Sequence, residues 1–427
     1  ASDAFKKLKK TPVKIVQLTE ANLSSFDDFL GKADLVIDAI FGTGFSGEIK
    51  GFVGEIIKKI SLSEVPVLSV DIPSGVNASN GRVSSICVKA TKTVTFMTPK
   101  IGLIIYPGAA YTGEILLAEL GASGLVKNKG IELITLERTA PLLPERKSDI
   151  HKKACGRVLV IAGSVGMTGA ATLTSLSVLR SGAGLVTLGV PESLNDILEV
   201  KLTEVMTVPL RETKQRTLHY KALNQVLSLL PDFDVVILGP GLSTHSDTVS
   251  LVRELVEKIE LPLVLDADGL NAIDDVKIFK KRKAPTIITP HPGELARLIG
   301  VSSREIQGDR VDFAKKSAKD WQVVIILKGA RSVVSSPETA LINMSGNSGM
   351  ASAGTGDVLA GLVGGFLAQG LTPLDSAILS TYLHGLAGDI AAEKKTEYCL
   401  IAGDLIDYLP EAIKMLLEKK HLRRENG

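Results

Sequence analysis

The sequence predicts an α/β protein built on mostly parallel sheets. Along the chain, short aliphatic runs typical of strands alternate with longer segments that have helical periodicity. Aromatic residues make up only 4% of the chain, whereas glycine occurs 40 times. Aliphatic strands and loops that turn on glycine are typical of parallel sheets covered by helices on both faces. At 427 residues the chain is long enough for two domains.

Composition excludes several classes of protein. The formal net charge is +2, so nothing indicates a nucleic-acid partner. The cysteines are Cys87, Cys155 and Cys399, an odd number without CxxC spacing, which argues against a disulfide framework or a zinc site and fits a reducing cytoplasm. No apolar run reaches about 18 residues, so no membrane span is expected. The sequence shows no signal peptide, and because it opens on Ala1 within a helical pattern, we expect the true beginning to lie upstream.

The first segment reads as alternating strands and helices. Strands are predicted at 13–18, 34–40, 65–70 and 93–96, with a helix at 52–60. The second and third of these strands each lead into an aspartate, Asp38 and Asp71, and a loop rich in Gly and Ser. In an open α/β sheet the ligand crevice lies at the carboxyl ends of the strands, so both aspartates are expected there.

The alternation stops between about 124 and 153. Pro141, Pro144 and a mixed charge run indicate a linker or docking loop in this stretch. We therefore predict one domain over 1–130 and a second over 131–427.

The second segment resumes the alternation. Strands are predicted at 157–161, 185–190, 235–238, 262–265, 286–288 and 323–327, with a helix of small residues ending near Ser181. The last four strands lead into polar or Gly-containing loops that begin at Gly239, Asp266, Thr289 and Lys328. This regularity predicts a parallel sheet whose carboxyl edge carries polar groups.

A glycine-rich stretch, 346–361, is the strongest candidate for a site. Four glycines precede Asp357, and an apolar helical run follows. A turn of this kind presents backbone N–H groups and the positive end of a helix dipole to an anion. A carboxylate in the first helical turn, beside a bound phosphate, would take a proton from an attacking hydroxyl or hold a metal. The alternative is that Asp357 only caps the helix.

Other polar residues leave two interpretations open. Lys328 would either reach a phosphate or be a solvated surface lysine, and His291 would be either functional or a solvated loop residue. Asp266 and Asp268 would hold a metal or cap the next helix, with capping favoured. His384 fits better as a packed residue of a helix than as a catalytic one. None of these loops is a GxGxxG fingerprint or a Walker A motif.

Taken together and in order, these motifs resemble a known family. The stretches 157–164, 239–242, 289–294, 327–329 and 346–357 resemble the ADP/ATP-dependent NAD(P)H-hydrate dehydratases, which have a ribokinase-like fold, over about 140–415. The stretches 36–44 and 69–75 resemble the NAD(P)H-hydrate epimerase domain, which is Rossmann-like. The two are often fused in this order in bacteria and archaea. The resemblance implies a Rossmann-like parallel-sheet domain, partial here, followed by a ribokinase-like α/β domain.

The resemblance implies roles for the dehydratase residues. Asp357 would be the base at the C6 hydroxyl of the hydrated nicotinamide ring, assisting its phosphorylation by ADP or ATP before phosphate is eliminated. Ala170, Gly241 and His291 would line the hydrate pocket with Asp357. Phosphoryl transfer implies Mg²⁺, although no protein cage for it is visible in the sequence. The nucleotide would be held by Lys328, Gly329, Ala330, Arg331, Ser332, Asn347, Gly349, Gly354, Thr355 and Gly356.

In the epimerase domain the resemblance implies that Asp38 and Ser74 bind K⁺. Asp71 would be catalytic, and the hydrated nucleotide would contact Asp71 together with Gly42, Thr43, Gly44, Phe45, Ser46, Gly47 and Glu48. Two departures from the family pattern stand out. An Asn-Asn-Gly-Gly-Asp-Gly loop expected after the first strand is absent, so we expect no epimerase activity if the protein begins at Ala1. Ala353 replaces a usual glycine, which a negative φ would tolerate.

Two rival functions share some of these features. A ribokinase-like small-molecule kinase would share Asp357 and its loop, but the 289–294 motif and the fused first domain argue against it. Alternatively, the first domain would be a binding module without chemistry. We also expect a homo-oligomer. The sequence does not distinguish ADP from ATP, or NADHX from NADPHX.

Overall fold

A computed structural model of the chain describes residues 2–121 and 131–425. These form two compact units, one on each side of the segment 122–130. The predicted domain boundary, after residue 130, lies at the end of that segment, which is outside the described residues. Within the described ranges, no helix is both long and apolar enough to cross a membrane.

In residues 2–121, four strands form a parallel sheet in the order β1-β2-β3-β4. The strands are β1 (Val36–Asp38), β2 (Val67–Val70), β3 (Lys92–Phe96) and β4 (Glu114–Ala118). The helices are α1 (Ser2–Leu8), α2 (Ser24–Leu30), α3 (Gly51–Leu62) and α4 (Ile101–Ile104). The core between α3 and the sheet contains Ile57, Ile60 and Val67.

The prediction of a strand at 13–18 is wrong. The segment has no regular secondary structure, and it pairs with no strand among the described residues. The segment does contain several apolar residues, but a strand forms only where a neighbouring strand makes hydrogen bonds with its backbone. The other predicted strands of this unit are present, although β1 and β2 are shorter than predicted. β4 was not predicted at all.

In residues 131–425, ten strands form a mixed sheet in the order β5-β14-β13-β12-β11-β10-β9-β6-β7-β8. All neighbouring pairs are parallel except those of β13, which is antiparallel to both its neighbours. The strands are β5 (Ile131–Ile134), β6 (Arg157–Ile161), β7 (Leu185–Pro191), β8 (Met206–Leu210), β9 (Val235–Leu238), β10 (Leu263–Leu265), β11 (Thr286–Ile288), β12 (Val324–Leu327), β13 (Val333–Ser335) and β14 (Ala340–Asn343).

The interpretation of 124–153 as a linker is wrong for its middle part. β5 joins the large sheet in parallel register with β14, and the helix α5 (Leu136–Thr139) follows it directly. A four-residue strand at the sheet edge is too short to show a period, and the prolines after it dominate the local pattern. β8, β13 and β14 are also missing from the prediction: β8 is the strand at the opposite edge of the sheet, and β13 and β14 are strands of three and four residues that pair with each other.

Helices follow most of the strands of this unit. They are α6 (Thr168–Arg180), α7 (Asn195–Lys201), α8 (Leu223–Leu229), α9 (Ser246–Lys258), α10 (Asp268–Asn271), α11 (Lys277–Lys281), α12 (Pro292–Ile299), α13 (Ser303–Gly308), α14 (Arg310–Trp321), α15 (Thr355–Ala368), α16 (Pro373–Lys395) and α17 (Ala402–Glu425). The small residues of α6 serve packing within the chain. A Cβ added at Gly361 of α15 would overlap the hydroxyl of Ser177, so the two helices lie almost backbone to backbone.

Candidate active sites

The first site lies at the N-terminus of α15. Gly354 caps the helix with φ of 91°, a left-handed conformation that favours glycine. The backbone N–H groups of 353–356 donate no hydrogen bond to any other described residue. Ala353 is not among the residues with positive φ, so its methyl group is tolerated. Unsatisfied N–H groups at the positive end of a helix form a site for an anion such as phosphate.

Asp357 occupies the third position of α15, so Gly354 and not Asp357 is the cap. Burial raises the pKa of Asp357 to about 7, helped by the negative charge of Asp266 and opposed by Lys328. A carboxyl group with a pKa near neutrality exchanges its proton readily at physiological pH. Such a group is suited to act as a general base.

Lys328 lies directly beside this helix N-terminus. It follows β12, and its Nζ is 2.6 Å from Asp266 Oδ1 and 4.0 Å from Glu294 Oε2. A Cβ added at Gly356 would lie 3.4 Å from the same Nζ. Burial lowers the pKa of Lys328, but the carboxylates of Asp266 and Glu294 outweigh this, and the net pKa is raised. The ammonium group therefore stays charged next to the free N–H groups of α15.

Asp266 is the buried centre of this polar cluster, with 1% of its surface exposed. Besides Lys328, it accepts a hydrogen bond from Thr289 Oγ1 at 2.6 Å. Gly239 has φ of 131°, and a Cβ added there would overlap the Asp266 carbonyl oxygen. The ends of β9, β10, β11 and β12 thus meet closely, as the sequence predicts for parallel strands. Asp268 does not cap its own helix, because its carboxylate accepts from Ser243 N and Asn271 Nδ2.

His291 is the N-cap of α12. Its Nδ1 accepts hydrogen bonds from Gly293 N at 2.9 Å and Glu294 N at 3.3 Å, and Glu294 in return accepts from His291 N. The His291 side chain is 58% exposed, and its Nε2 lies 3.6 Å from Glu294 Oε1. Burial raises the pKa of Glu294, against the effect of Lys328. These hydrogen bonds hold the His291 ring in one orientation, unlike a solvated loop histidine that makes no contacts.

Ala170 and Gly241 are neighbours in the structure. A Cβ added at Gly241, where φ is 64°, would lie 3.0 Å from Ala170 Cβ and 2.9 Å from Met167 Cβ. Ser164 Oγ donates to the carbonyl of Gly241 at 2.8 Å and fixes the turn. These close contacts bring together two segments that are distant in sequence.

The loop 328–332 is shaped by an arginine that sequence reasoning missed. Arg310 is 2% exposed and donates to the carbonyls of Leu327 and Lys328, both at 3.1 Å. A Cβ at Gly329 would lie 2.9 Å from Arg310 Nη1. Ala330 is exposed at the tip, Ser332 Oγ donates to the Gly329 carbonyl, and the Arg331 guanidinium donates to the Met344 carbonyl. Nothing in the local sequence marks Arg310 as a residue that shapes this loop, since the two carbonyls that it contacts there lie 17 and 18 residues away.

The second site lies in the first unit, at the end of β1. Asp38 is 1% exposed, and its carboxylate accepts hydrogen bonds from Ser74 Oγ at 2.6 Å, Ser74 N at 2.8 Å, Ser69 Oγ at 2.9 Å and Ile40 N at 3.3 Å. The structure therefore brings together the two residues for which the family resemblance implies K⁺ binding. Ser69, on the neighbouring strand, was not singled out from the sequence.

Asp71 has different partners from Asp38. It adopts φ of 69°, unusual for a residue with a side chain. Its Oδ1 accepts from Lys100 Nζ at 2.6 Å and from Thr95 Oγ1 at 3.1 Å. The ammonium group of Lys100 also donates to Thr95 Oγ1 and to the Phe96 carbonyl, so it is held in place.

The loop 42–48 borders a pocket of about 290 Å³, which Phe45, Ser46, Gly47 and Glu48 line from one side. Phe45 packs on Phe41 with ring centres 5.1 Å apart, whereas no side chain lies within 4 Å of a Cβ added at Gly42 or Gly44. Hydrogen bonds from Ser85 N and Oγ to Glu48 lower the pKa of that carboxylate. Thr43 lies in the same loop.

The fold and these sites define a ribokinase-like α/β unit preceded by a smaller parallel-sheet unit. Residues 158–411 match the NAD(P)H-hydrate dehydratase family, and residues 1–102 match the YjeF-related protein N-terminus. A bifunctional NAD(P)H-hydrate repair enzyme from Moorella thermoacetica is 44% identical over 95% of this chain and 77% of its own length. The corresponding enzyme from Thermofilum pendens is 37% identical over 97% of this chain and 79% of its own length.

Solved structures agree with these matches. An ADP/ATP-dependent NAD(P)H-hydrate dehydratase from Bacillus subtilis, co-crystallised with ATP and Mg²⁺, covers 68% of this chain and 100% of its own length at 30% identity, with a TM-score of 0.59. A ribokinase-like superfamily protein from Enterococcus faecalis, at 24% identity, covers 68% of this chain and 98% of its own length, also with a TM-score of 0.59, and supports the fold. The chain belongs to the family of bifunctional NAD(P)H-hydrate repair enzymes. The predicted fold class and family resemblance are confirmed, while the roles of individual site residues stay predictions.

Proposed function

We propose that the ribokinase-like unit dehydrates (6S)-NAD(P)HX to NAD(P)H, with ADP or ATP as the phosphoryl donor. The observation that carries this proposal is the position of Asp357, whose pKa is raised to about 7, beside the free N–H groups of 353–356 and the ammonium group of Lys328. A base and an anion site in contact with each other are what transfer of a phosphoryl group to a hydroxyl requires.

The reaction would proceed in two steps. First, Asp357 takes the proton of the C6 hydroxyl, the hydroxyl oxygen bonds to the terminal phosphorus, and the bond from that phosphorus to the bridging oxygen breaks. ADP then leaves as AMP, or ATP as ADP. Second, phosphate leaves from C6 and a proton leaves from C5, which restores the C5=C6 double bond of NAD(P)H. The first step turns a poor leaving group, hydroxide, into a good one.

The chain's own groups would hold the phosphates during this reaction. The N–H groups of 353–356 and the Lys328 ammonium would bind the terminal phosphoryl oxygens, and the loop 328–332 would bind the rest of the nucleotide. Ala170, Gly241 and His291 would line the hydrate pocket, with the Nε2 of His291 as a donor to the substrate.

Mg²⁺ would supply neutralisation of phosphate charge. The described residues contain no group of three or more His, Cys, Asp or Glu side chains placed to hold a metal. This fits Mg²⁺, which commonly binds through phosphates, waters and one or two carboxylates. The carboxylates nearest the Lys328 ammonium are those of Asp266 and Glu294, and these would share the ion with the nucleotide.

For the first unit we propose epimerisation of the R and S forms of NAD(P)HX, provided that the protein also contains the part of this domain that is expected to precede Ala1. The loop 42–48 would contact the hydrated nucleotide, and Asp71, paired with Lys100, would be its acid–base residue. Asp38 and Ser74 would bind K⁺, since both present oxygen atoms in one buried cluster. We further propose that the enzyme is a cytoplasmic homo-oligomer, with no nucleic-acid or membrane partner.

Absorbance at 340 nm tests the dehydratase directly. (S)-NADHX is incubated with the protein, Mg²⁺ and either ADP or ATP, and appearance of the NADH band with one nucleotide identifies the donor. Asp357→Asn keeps the size of the side chain but removes the base, so we expect loss of at least about a hundredfold in kcat. Glu393→Gln, an exposed substitution on α16, is the matched control and should keep full activity.

Two results would contradict the proposal. One is a folded wild-type protein that regenerates no NADH with either nucleotide, in which case a screen of alcohols for phosphorylation would test the rival kinase function. The other is an Asp357→Asn variant with wild-type kcat, which would remove Asp357 from the chemistry.

A further inference from the structure

The glycine-rich loop rests directly on the backbone of α16. A Cβ added at Gly385 would overlap Ser345, and one added at Gly388 would overlap the side chain of Met350. Both glycines lie within a helix, where glycine costs up to about 1 kcal/mol relative to alanine. Because these two residues have no side chain, the loop can approach the helix backbone closely.

Polar anchors lie on both sides of these glycines. The carboxylate of Asp389 accepts hydrogen bonds from Gly346 N at 2.8 Å and from Asn347 Nδ2 at 3.0 Å. His384 Nε2 lies 2.8 Å from the carbonyl oxygen of Thr355, to which it donates. Ser345 Oγ donates to the carbonyl of Tyr382 at 3.0 Å. One face of α16 thus holds the loop at its start and again at the first turn of α15.

These anchors determine which loop N–H groups are free. Because Asp389 accepts from the amide of Asn347, the Oδ1 of Asn347 points inward and accepts from Gly349 N at 3.0 Å. The amides of Gly346 and Gly349 are consequently occupied, whereas those of 353–356 make no hydrogen bond to described residues. Fewer backbone N–H groups are therefore available to bind an anion than the glycine pattern of the loop indicates.

In this arrangement His384 acts as a neutral hydrogen-bond donor to the Thr355 carbonyl. Burial lowers its pKa to about 4, so the ring is neutral, and the proton on Nε2 serves the Thr355 carbonyl. Thr355 lies two residues before Asp357, and holding its carbonyl fixes the first turn of the helix that carries the base.

We infer that His384 and Asp389 are positioning residues, through which α16 holds the phosphate-binding loop in its binding shape before a nucleotide arrives. The inference rests on the proposed function for the identity of the ligand, an adenosine di- or triphosphate. Neither side chain is expected to touch the nucleotide. A loop that is already ordered loses less conformational entropy on binding and therefore binds more tightly.

The test measures binding and catalysis separately. The dissociation constants of ADP and ATP are determined by calorimetry for the wild-type chain, Asp389→Ala, Asp389→Asn and the control Glu393→Gln. We expect Asp389→Ala to raise the dissociation constant about tenfold or more, because about one loop residue loses its order. Asp389→Asn keeps one acceptor and should lie between alanine and wild type, and Glu393→Gln should match wild type.

His384 is tested by a paired substitution. Gln at this position would place an amide donor near the Thr355 carbonyl, whereas Leu offers no donor. With saturating nucleotide, we expect His384→Leu to lower kcat at least about tenfold and His384→Gln to restore part of it, with the KM for the hydrate unchanged.

A purely structural role would give a different pattern. The unfolding midpoint of the Asp389 variants would fall, but the folded protein would bind nucleotide with wild-type affinity, and this result would overturn the inference. If wild type binds nucleotide without forming NADH and the Asp389 variants bind more weakly, the proposed reaction fails while the inference stands. Failure of wild type to bind either nucleotide would overturn both.

Discussion

Replacing Asp357 by Asn should make the protein more stable while it removes activity. The Asp357 carboxyl has a pKa of about 7 in the folded chain against 3.8 for an unperturbed aspartate. Because its folded pKa is raised, the group favours folding when protonated, and this contribution is lost as the pH rises from about 4 through 7. Asparagine carries no charge at any pH, so the variant never meets this cost.

The two pKa values give the size of the effect. At pH 5.5 the carboxyl is ionised in the unfolded chain but protonated in the fold, which costs about 2 kcal/mol of stability. At pH 8 it is ionised in both states, and the cost reaches about 4 kcal/mol. We therefore expect the stability advantage of Asp357→Asn to grow by about 2 kcal/mol between pH 5.5 and pH 8. Any constant effect of the amide cancels in this difference.

The chain offers a convenient probe for this measurement. It contains one tryptophan, Trp321, which is 6% exposed and lies in the same unit as Asp357, with its ring 5.9 Å from that of Phe279. Urea denaturation followed by Trp321 fluorescence thus reports on the unit that contains the site. Asp320→Asn, at an exposed position of α14, is the control and should show no such pH-dependent gain.

A pH-independent difference between wild type and Asp357→Asn would refute this reasoning. It would show that the folded chain ionises Asp357 as easily as the unfolded chain does, so that burial and Asp266 do not raise its pKa. Asp357 would then be an ordinary carboxylate at neutral pH, with no special suitability as a base.

Three further predictions concern the pH dependence of catalysis, the close approach at Gly239 and the hydrogen bonds of Asp38. The kcat/KM of NADH formation should rise with pH to a plateau above a midpoint of about 7, reaching one-tenth of that plateau at pH 6, and a flat profile from pH 5.5 to 8 would contradict the role of Asp357. Gly239→Ala should destabilise the unit by at least about 2 kcal/mol in urea denaturation, because its Cβ overlaps the Asp266 carbonyl at positive φ, whereas Gly403→Ala, with open space around it, should be neutral or stabilising. Asp38→Asn should cost about 1–3 kcal/mol, because an amide nitrogen would face hydrogen-bond donors, and faster hydrogen exchange in β1 and β2 would show this.

The sequence predicted those parts of the site in which chemistry follows a strand directly. β12 is a run of four buried aliphatic residues, and Lys328 comes immediately after it, so a strand end and its functional residue are visible together. Asp38 is visible in a similar way because it is the last residue of β1, although β1 is only partly buried. A strand that is buried on both faces shows itself by composition alone, and parallel packing then places its end at the common edge.

Residues that act through tertiary contacts were not predictable in this way. His384 fitted a packed helical residue, and its burial agrees with that interpretation, but its hydrogen bond to Thr355 depends on how the loop lies across α16. Arg310 contacts the carbonyls of a loop that begins 17 residues later. In both cases the side chain donates to a backbone carbonyl. Every residue has a backbone carbonyl, so the identity of the side chains in the sequence does not predict which carbonyl is the partner.

The electrostatics of the first site explain why its charged groups are buried together. A cation at the N-terminus of a helix faces the positive end of the dipole and is unfavourable there. Lys328 occupies this position because Asp266, at 2.6 Å, and Glu294, at 4.0 Å, compensate its charge. The negative charges of Asp266 and Asp268 also act on Asp357 and contribute to the raised pKa of that group. The cluster thus keeps a charged ammonium group beside the N–H groups that would face a phosphate, and this ammonium group opposes the rise in the pKa of Asp357 that burial and Asp266 bring to about 7.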